Sequence, residues 1–236
     1  MASVKAIFIK QTKDMTKNVS VLIMFIIFPL VALAMTELVA RGGAAGMSEY
    51  ISDTMFVTMM ASVFIGMALV QCSSGIIAED RETKSLRFLV IAGVKPHSYL
   101  LGIGGVVFTA SLITSVAFGL IARFDQSEFL AFMAVMASGA IASIILGATI
   151  GIFSKNQQAA SGLSMPLAMI LGFGPMIAMY NEYVERVFRI FYTQQISVTV
   201  SDFSAGITEP LIIIWANIVV LAVLFAIAYK KKGLRN

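Results

Sequence analysis

Six stretches of this chain are apolar enough and long enough to cross a bilayer, and no other feature limits its fold as much. They cover residues 19–39, 55–78, 100–122, 129–153, 159–179 and 210–229. A spanning helix needs about 20 apolar residues, and each stretch supplies that length. The runs are continuous, unlike the short alternating segments of a transmembrane barrel. Composition points the same way: of 236 residues, 58% are hydrophobic and 13% charged, against about 25% charged in a soluble domain. A water-soluble enzyme and a disordered chain are both excluded. The expectation is an all-α integral membrane protein, with residues 1–236 forming a single transmembrane domain.

Positive charge assigns the two sides. With both termini placed in the cytoplasm, the inner segments carry Lys5, Lys10, Lys13 and Lys17, then Arg81, Lys84, Arg87 and Lys95. Lys155 follows in the next inner loop, and Lys230, Lys231, Lys232 and Arg235 at the end. The outer segments hold only Arg41, Arg123, Arg186 and Arg189. A bias of that size in short loops predicts an even number of spans with both ends inside, in a multi-pass protein of the inner (plasma) membrane. Ala32-Leu33-Ala34 imitates a signal-peptide cleavage site. The apolar run before it is longer than a signal core, so an uncleaved first span is expected.

Two further segments look amphipathic and too short to span. In residues 3–17, Val4, Ile7 and Phe8 share a face opposite Lys5, Lys10 and Lys13, which predicts a helix along the inner interface. Before the last span, Tyr183, Val187, Ile190 and Phe191 recur at helical spacing beside Glu182, Glu185, Arg186 and Arg189, which predicts a short outer surface helix. Pro166 and the Gly172-Phe173-Gly174-Pro175 run are expected to interrupt the fifth span.

The chemistry missing from the sequence is informative. There is no G-x-x-x-x-G-K-[ST] phosphate loop and no H-E-x-x-H metal site, and His97 is the sole histidine. The span centres contain no Asp, Glu, Lys or Arg, whereas ion-coupled transporters carry intramembrane ionisable groups. The polar residues inside the spans, such as Ser73, Thr114 and Asn217, are expected to bond helix to helix, with substrate contact as the alternative. Gly147 and Gly151 form a G-x-x-x-G pair that permits close helix packing, within one chain or between two. A transport role would therefore draw its energy from another chain.

The longest inner loop, residues 77–96, starts acidic and turns basic, an order that suits a helix dipole. Leu86, Leu89 and Val90 put an apolar stripe beneath charge. From composition, a solvated connector and a docking helix are equally supported. The run Glu79-Asp80-Arg81-Glu82-Thr83-Lys84-Ser85-Leu86 resembles the coupling segment of ABC-2-type exporter membrane subunits. Asp80 and Ser85 replace the Glu and Thr usual there. The stretch from Gly147 to Ala160, which includes the turn Lys155, Asn156 and Gln157, is similar to that family's second inner loop. The layout of all six spans follows the same order.

The resemblance implies a coupling helix over 79–90, with Glu79, Asp80, Arg81, Glu82, Thr83 and Leu86 facing a cytoplasmic ATP-binding cassette subunit. It also implies two such ATPase copies, a second permease subunit (identical or not), and membrane lipid around them, with no nucleic acid. No cofactor is expected on this chain; ATP and Mg would sit on the partner ATPase. The expected function is the membrane path of an ATP-driven exporter of a lipophilic or amphipathic substrate: a drug, a lipid or an antimicrobial peptide. Fifteen methionines suit an adaptable apolar surface. Two other readings stay open at this point: a membrane-anchored assembly or sensory subunit that recruits a cytoplasmic partner, and an ion-coupled secondary transporter.

Overall fold

The computed structural model describes residues 2–42, 54–85, 88, 91, 93–94 and 96–230. Among these residues the fold is all-helical, and six helices are long and apolar enough to span. Helix α1 (Ala2–Lys17) leads into the first span, α2 (Val19–Gly42). The second span is α3 (Met55–Glu82), whose middle turns, Phe64–Leu69, widen into a π-helix. Helix α4 (Pro96–Ala122) and helix α5 (Gln126–Phe153) form the third and fourth spans, and α6 (Gln157–Ala178) the fifth. Two short helices, α7 (Glu182–Phe188) and α8 (Tyr192–Ser201), precede the last span, α9 (Thr208–Ala228).

The sequence marks where these helices begin. Asp125 opens α5 with a reciprocal cap: its carboxylate accepts from Glu128 N at 2.8 Å, and Glu128 accepts from Asp125 N at 3.1 Å. Asn156 caps α6 by accepting from Ala159 N at 2.8 Å, and Asn181 caps α7 in the same way. The α4–α5 turn is tight, with Arg123 in the left-handed region at φ 55°.

Burial ranks the spans. In α3 72% of the apolar window is buried, against 17% in α2 and 22% in α9. Helix α3 is thus the core of the bundle, and α2 and α9 are its skin, with Ile26, Leu30, Ile212 and Val219 exposed. Lipid tails are as apolar as leucine, so helices in a bilayer associate through close packing and polar contacts. Missing side chains supply the first. A Cβ on Gly66 would lie 2.7 Å from Gly172 N in α6, and one on Gly147 would lie 2.5 Å from Val70 O. A Cβ on Gly151 would meet Ser74 O at 2.8 Å. The Gly147–Gly151 pair therefore packs α5 against α3 of the same chain.

Helix α6 runs unbroken through Pro166 and Pro175, where the sequence suggests an interruption. Proline is tolerated within a spanning helix when neighbours take up the freed backbone groups. Its glycines serve contact: Gly172 faces Val63 and Met67, and Gly174 leaves room for the Phe188 ring.

Helix α8 is the element that hydropathy does not reveal. Its ten residues rise about 15 Å, half the hydrocarbon thickness. Eight of them, Tyr192 through Ser197 with Thr199 and Val200, are buried. Ile196 fills the gap at Gly139 of α5. The π-segment of α3 shifts its hydrogen-bond pattern, and the Ser143 hydroxyl donates to Ile65 O there at 2.6 Å. With its one proton so committed, Ser143 accepts from the Tyr192 hydroxyl at 2.8 Å. A three-helix polar link thus joins α3, α5 and α8.

Glycine substitutions separate contact from conformation. Gly66→Ala is expected to lower thermal stability in detergent by about 1–3 kcal/mol, because the added methyl overlaps the α6 backbone. Gly75, with nothing within 4 Å of an added Cβ, should tolerate Ala and gain a few tenths to about 1 kcal/mol. Melting curves of the two variants side by side check this.

Candidate coupling site

The charged end of α3 is where the sequence-predicted residues gather. Glu79, Asp80, Arg81 and Glu82 form the last turn of the second span and do not open a separate helix. The chain then turns at Thr83 and at Lys84, which takes a left-handed φ of 60°. Ser85, Phe88 and Ile91 are helical beyond it. The segment read as one helix over 79–90 is therefore divided by this turn, and Leu86 lies outside the described residues.

The acidic and basic side chains of that last turn reach four other elements between them. Asp80 is buried, and its carboxylate accepts from the Tyr99 hydroxyl of α4 at 2.9 Å and from Lys10 Nζ of α1 at 3.2 Å. Arg81 donates from Nη1 to Ile152 O and, at 2.9 Å, to Ser154 O. These carbonyls end α5, where a cation complements the negative pole of the helix. Glu82 accepts from Gln157 N at 3.1 Å, the first backbone amide of α6, and Glu79 accepts from Gln157 Nε2 at 2.8 Å. Here an anion faces a positive helix pole.

A single turn thus fastens α1, α4, the end of α5 and the start of α6. The Thr83 hydroxyl donates to Glu79 O at 2.9 Å and so accepts from Ser85 Oγ, which closes the turn. Lys155 is exposed and Asn156 half-buried, between the ends of α5 and α6. Glu79, Glu82, Thr83, Lys84 and Lys155 present the exposed polar surface of this end, while Asp80 and Arg81 hold the elements beneath it.

The face of α1 that packs here carries Ile7, Gln11 and Met15, all buried. Ile7 and Phe8 press on Gly102 and Gly105 of α4. Burial opposes the charge on Lys10, but the Asp80 carboxylate and then Asp14 outweigh it and raise the ammonium above its ordinary value. The arrangement is a junction of helix ends held by hydrogen bonds and by the Lys10–Asp80 ion pair.

A family model described as ABC-2 family transporter protein matches residues 43–230, well over half of the chain. The chain belongs to this family. It is a multi-pass membrane protein and the permease component of an ABC transporter, a type of subunit that works with a separate ATP-binding cassette subunit. The comparison with curated proteins finds no match. Within an ABC-2 permease, the junction at the end of α3 occupies the segment that the sequence resemblance assigns to coupling.

Tyr99 and Lys10 are the site residues that sequence reading overlooks. Lys10 is visible only as one basic residue of an amphipathic run, and nothing local marks Tyr99 as the donor to Asp80. Two outcomes follow. Tyr99→Phe, which removes one hydrogen bond to a charged, buried acceptor, is expected to cost about 1.5–3 kcal/mol of stability. In a double-mutant cycle with Asp80→Asn its effect should be largely absorbed, and thermal melts of the four proteins check it.

The Lys10 contact gives a pH signature. Its folded-state pKa is raised, so its stabilisation is complete below the ordinary value of 10.5 and is lost as pH rises through the folded value. The melting-temperature difference between the wild type and Lys10→Met should stay constant from about pH 6 to pH 10 and shrink above that.

Proposed function

We propose that this chain forms the translocation path of an ATP-driven exporter. The basic end of the bundle faces the cytoplasm and the α7–α8 end faces outside, in line with the inward bias of Lys and Arg. Two ATP-binding cassette subunits, which bind ATP and Mg, dock on the basic end, and a second permease subunit, identical or not, completes the path. Glu79, Glu82, Thr83 and Lys84 meet the ATPase, with Lys155, Asn156 and Gln157 beside them. Asp80 and Arg81 act behind that surface by passing its movement to α1, α4, α5 and α6.

One observation supports this reading above others: ion and hydrogen-bond links radiate from a single turn to four elements, directly under an exposed polar surface. An anchor that only recruited a partner would have no need to join its spans at the docking point. The cargo is lipophilic or amphipathic, since the span centres carry no fixed charge and the outer helices are broadly apolar.

The test uses the chain reconstituted with its cognate ATPase in proteoliposomes. Lys84→Glu and Lys155→Glu alter the exposed surface and leave the contacts of Glu79, Asp80, Arg81 and Glu82 in place. Each should reduce permease-stimulated ATP turnover and transport about tenfold or more while membrane insertion stays normal. Wild-type coupling in both variants would overturn the docking assignment.

A further inference from the structure

Helix α1 carries four lysines against one aspartate, and the bundle engages only one of them. Lys10 pairs with Asp80 at 3.2 Å and with Asp14 at 3.6 Å. Lys5, Lys13 and Lys17 are exposed and form no ion pair among the described residues. Together with Ile9 they make a single row at i, i+4 spacing, about 18 Å long. The row of Ile7, Gln11 and Met15, half a turn away, is buried against the bundle. Topology asks only that positive charge stay inside. It gives no reason for the three unpaired lysines to share the side that faces away from the protein.

Two contacts fix the level of α1. Lys10 reaches the last turn of α3, where the second span ends. Ile7 and Phe8 press on Gly102 and Gly105, in the second and third turns of α4. The helix therefore lies on the flank of the bundle at the inner boundary of the bilayer. Its lysine row points sideways into the headgroup layer, and Ile9, 45% exposed, sits among the lysines. At this depth an apolar side chain has acyl chain beside it, and lysine stems can lie along that surface while their ammonium groups reach phosphate.

We infer that α1 binds the headgroups of anionic phospholipids in the inner leaflet through Lys5, Lys13 and Lys17, with Ile9 among the acyl chains between them. A zwitterionic headgroup carries its own ammonium beside its phosphate and offers three lysines no net charge to meet. A two-fold contact with a second copy through this face would set the row against itself, lysine on lysine. Lys10 of the same helix holds Asp80, so the lipid contact and the charged end of α3 share one element. The inference does not depend on docking of an ATPase, and its test contains none.

The experiment uses the full chain in phosphatidylcholine nanodiscs at low salt, with a bimane fluorophore on Ala6→Cys, an exposed position beside the row. Buried Cys72 stays unlabelled. Two quenchers are compared at equal mole fraction: phosphatidylglycerol and phosphatidylcholine, each with a nitroxide high on the acyl chain. Phosphatidylglycerol should quench several-fold more strongly, and about 0.5 M salt should shrink the difference. Replacing the row together, by Lys5→Gln, Lys13→Gln and Lys17→Gln, should bring the ratio close to one. Lys84→Gln with Lys155→Gln, which removes the same kind of charge from the cytoplasmic end, should leave the ratio unchanged. Melting curves establish that each variant is folded. Equal quenching by the two lipids in the wild type, no quenching by either, or an unchanged ratio in the triple variant would overturn the inference, as would loss of the ratio in the double variant.

Discussion

In a bilayer the hydrophobic effect no longer favours one helix partner over another, and what remains is how closely two backbones can approach. In this permease that approach converges on α3. Gly66 meets α6 and the Gly147–Gly151 pair brings α5 to its opposite stretch, each with backbone where a side chain would stand. Once α3 is held this tightly, its movements become its neighbours' movements. The π-segment at Phe64–Leu69 adds a polar anchor, because Ser143 bonds Ile65 O and Tyr192 bonds Ser143.

The charged end of α3 extends this logic out of the hydrocarbon. Inside the bilayer a charge is expensive, so Asp80, Arg81 and Glu82 act where the span ends and water begins. There they bond to helix termini and to Tyr99, partners that no apolar side chain could engage. Close packing along the span and charge at its end thus divide the work. Packing holds the spans together along their length, and charge fixes which elements meet at the end. The low charge content of the chain follows from this arrangement.

Much of this fold is legible in the sequence. Six continuous apolar runs and the clustering of Lys and Arg are strong signals because bilayer thickness and lipid polarity enforce them. Asn156 and Asp125 announce helix starts through local capping chemistry. Helix α8 is not legible, because Thr193, Gln194, Gln195, Ser197 and Thr199 read as a polar loop and only tertiary contact with Gly139 and Ser143 makes them core. Pro166 and Pro175 mislead for the opposite reason: their helix-breaking tendency is real in water and weak between packed spans. At the candidate coupling site the motif Glu79-Asp80-Arg81-Glu82 is visible, but its internal use is not. The partners lie at Lys10, Tyr99, Ile152 and Gln157, far away in sequence, and half of them are backbone atoms that no residue pattern encodes.

The central claim is that the end of α3 and the α5–α6 corner move as one body when the ATPase acts. Spin labels on Gly75→Cys of α3, where an added Cβ meets nothing within 4 Å, and on Gln158→Cys, exposed in the first turn of α6, test this by pulsed electron paramagnetic resonance in the assembled transporter. Cys72 is buried and does not compete for label. The account predicts one narrow distance distribution between positions 75 and 158 that is unchanged between nucleotide-free and ATP-trapped states. A distance that shifts or splits on ATP binding would contradict it.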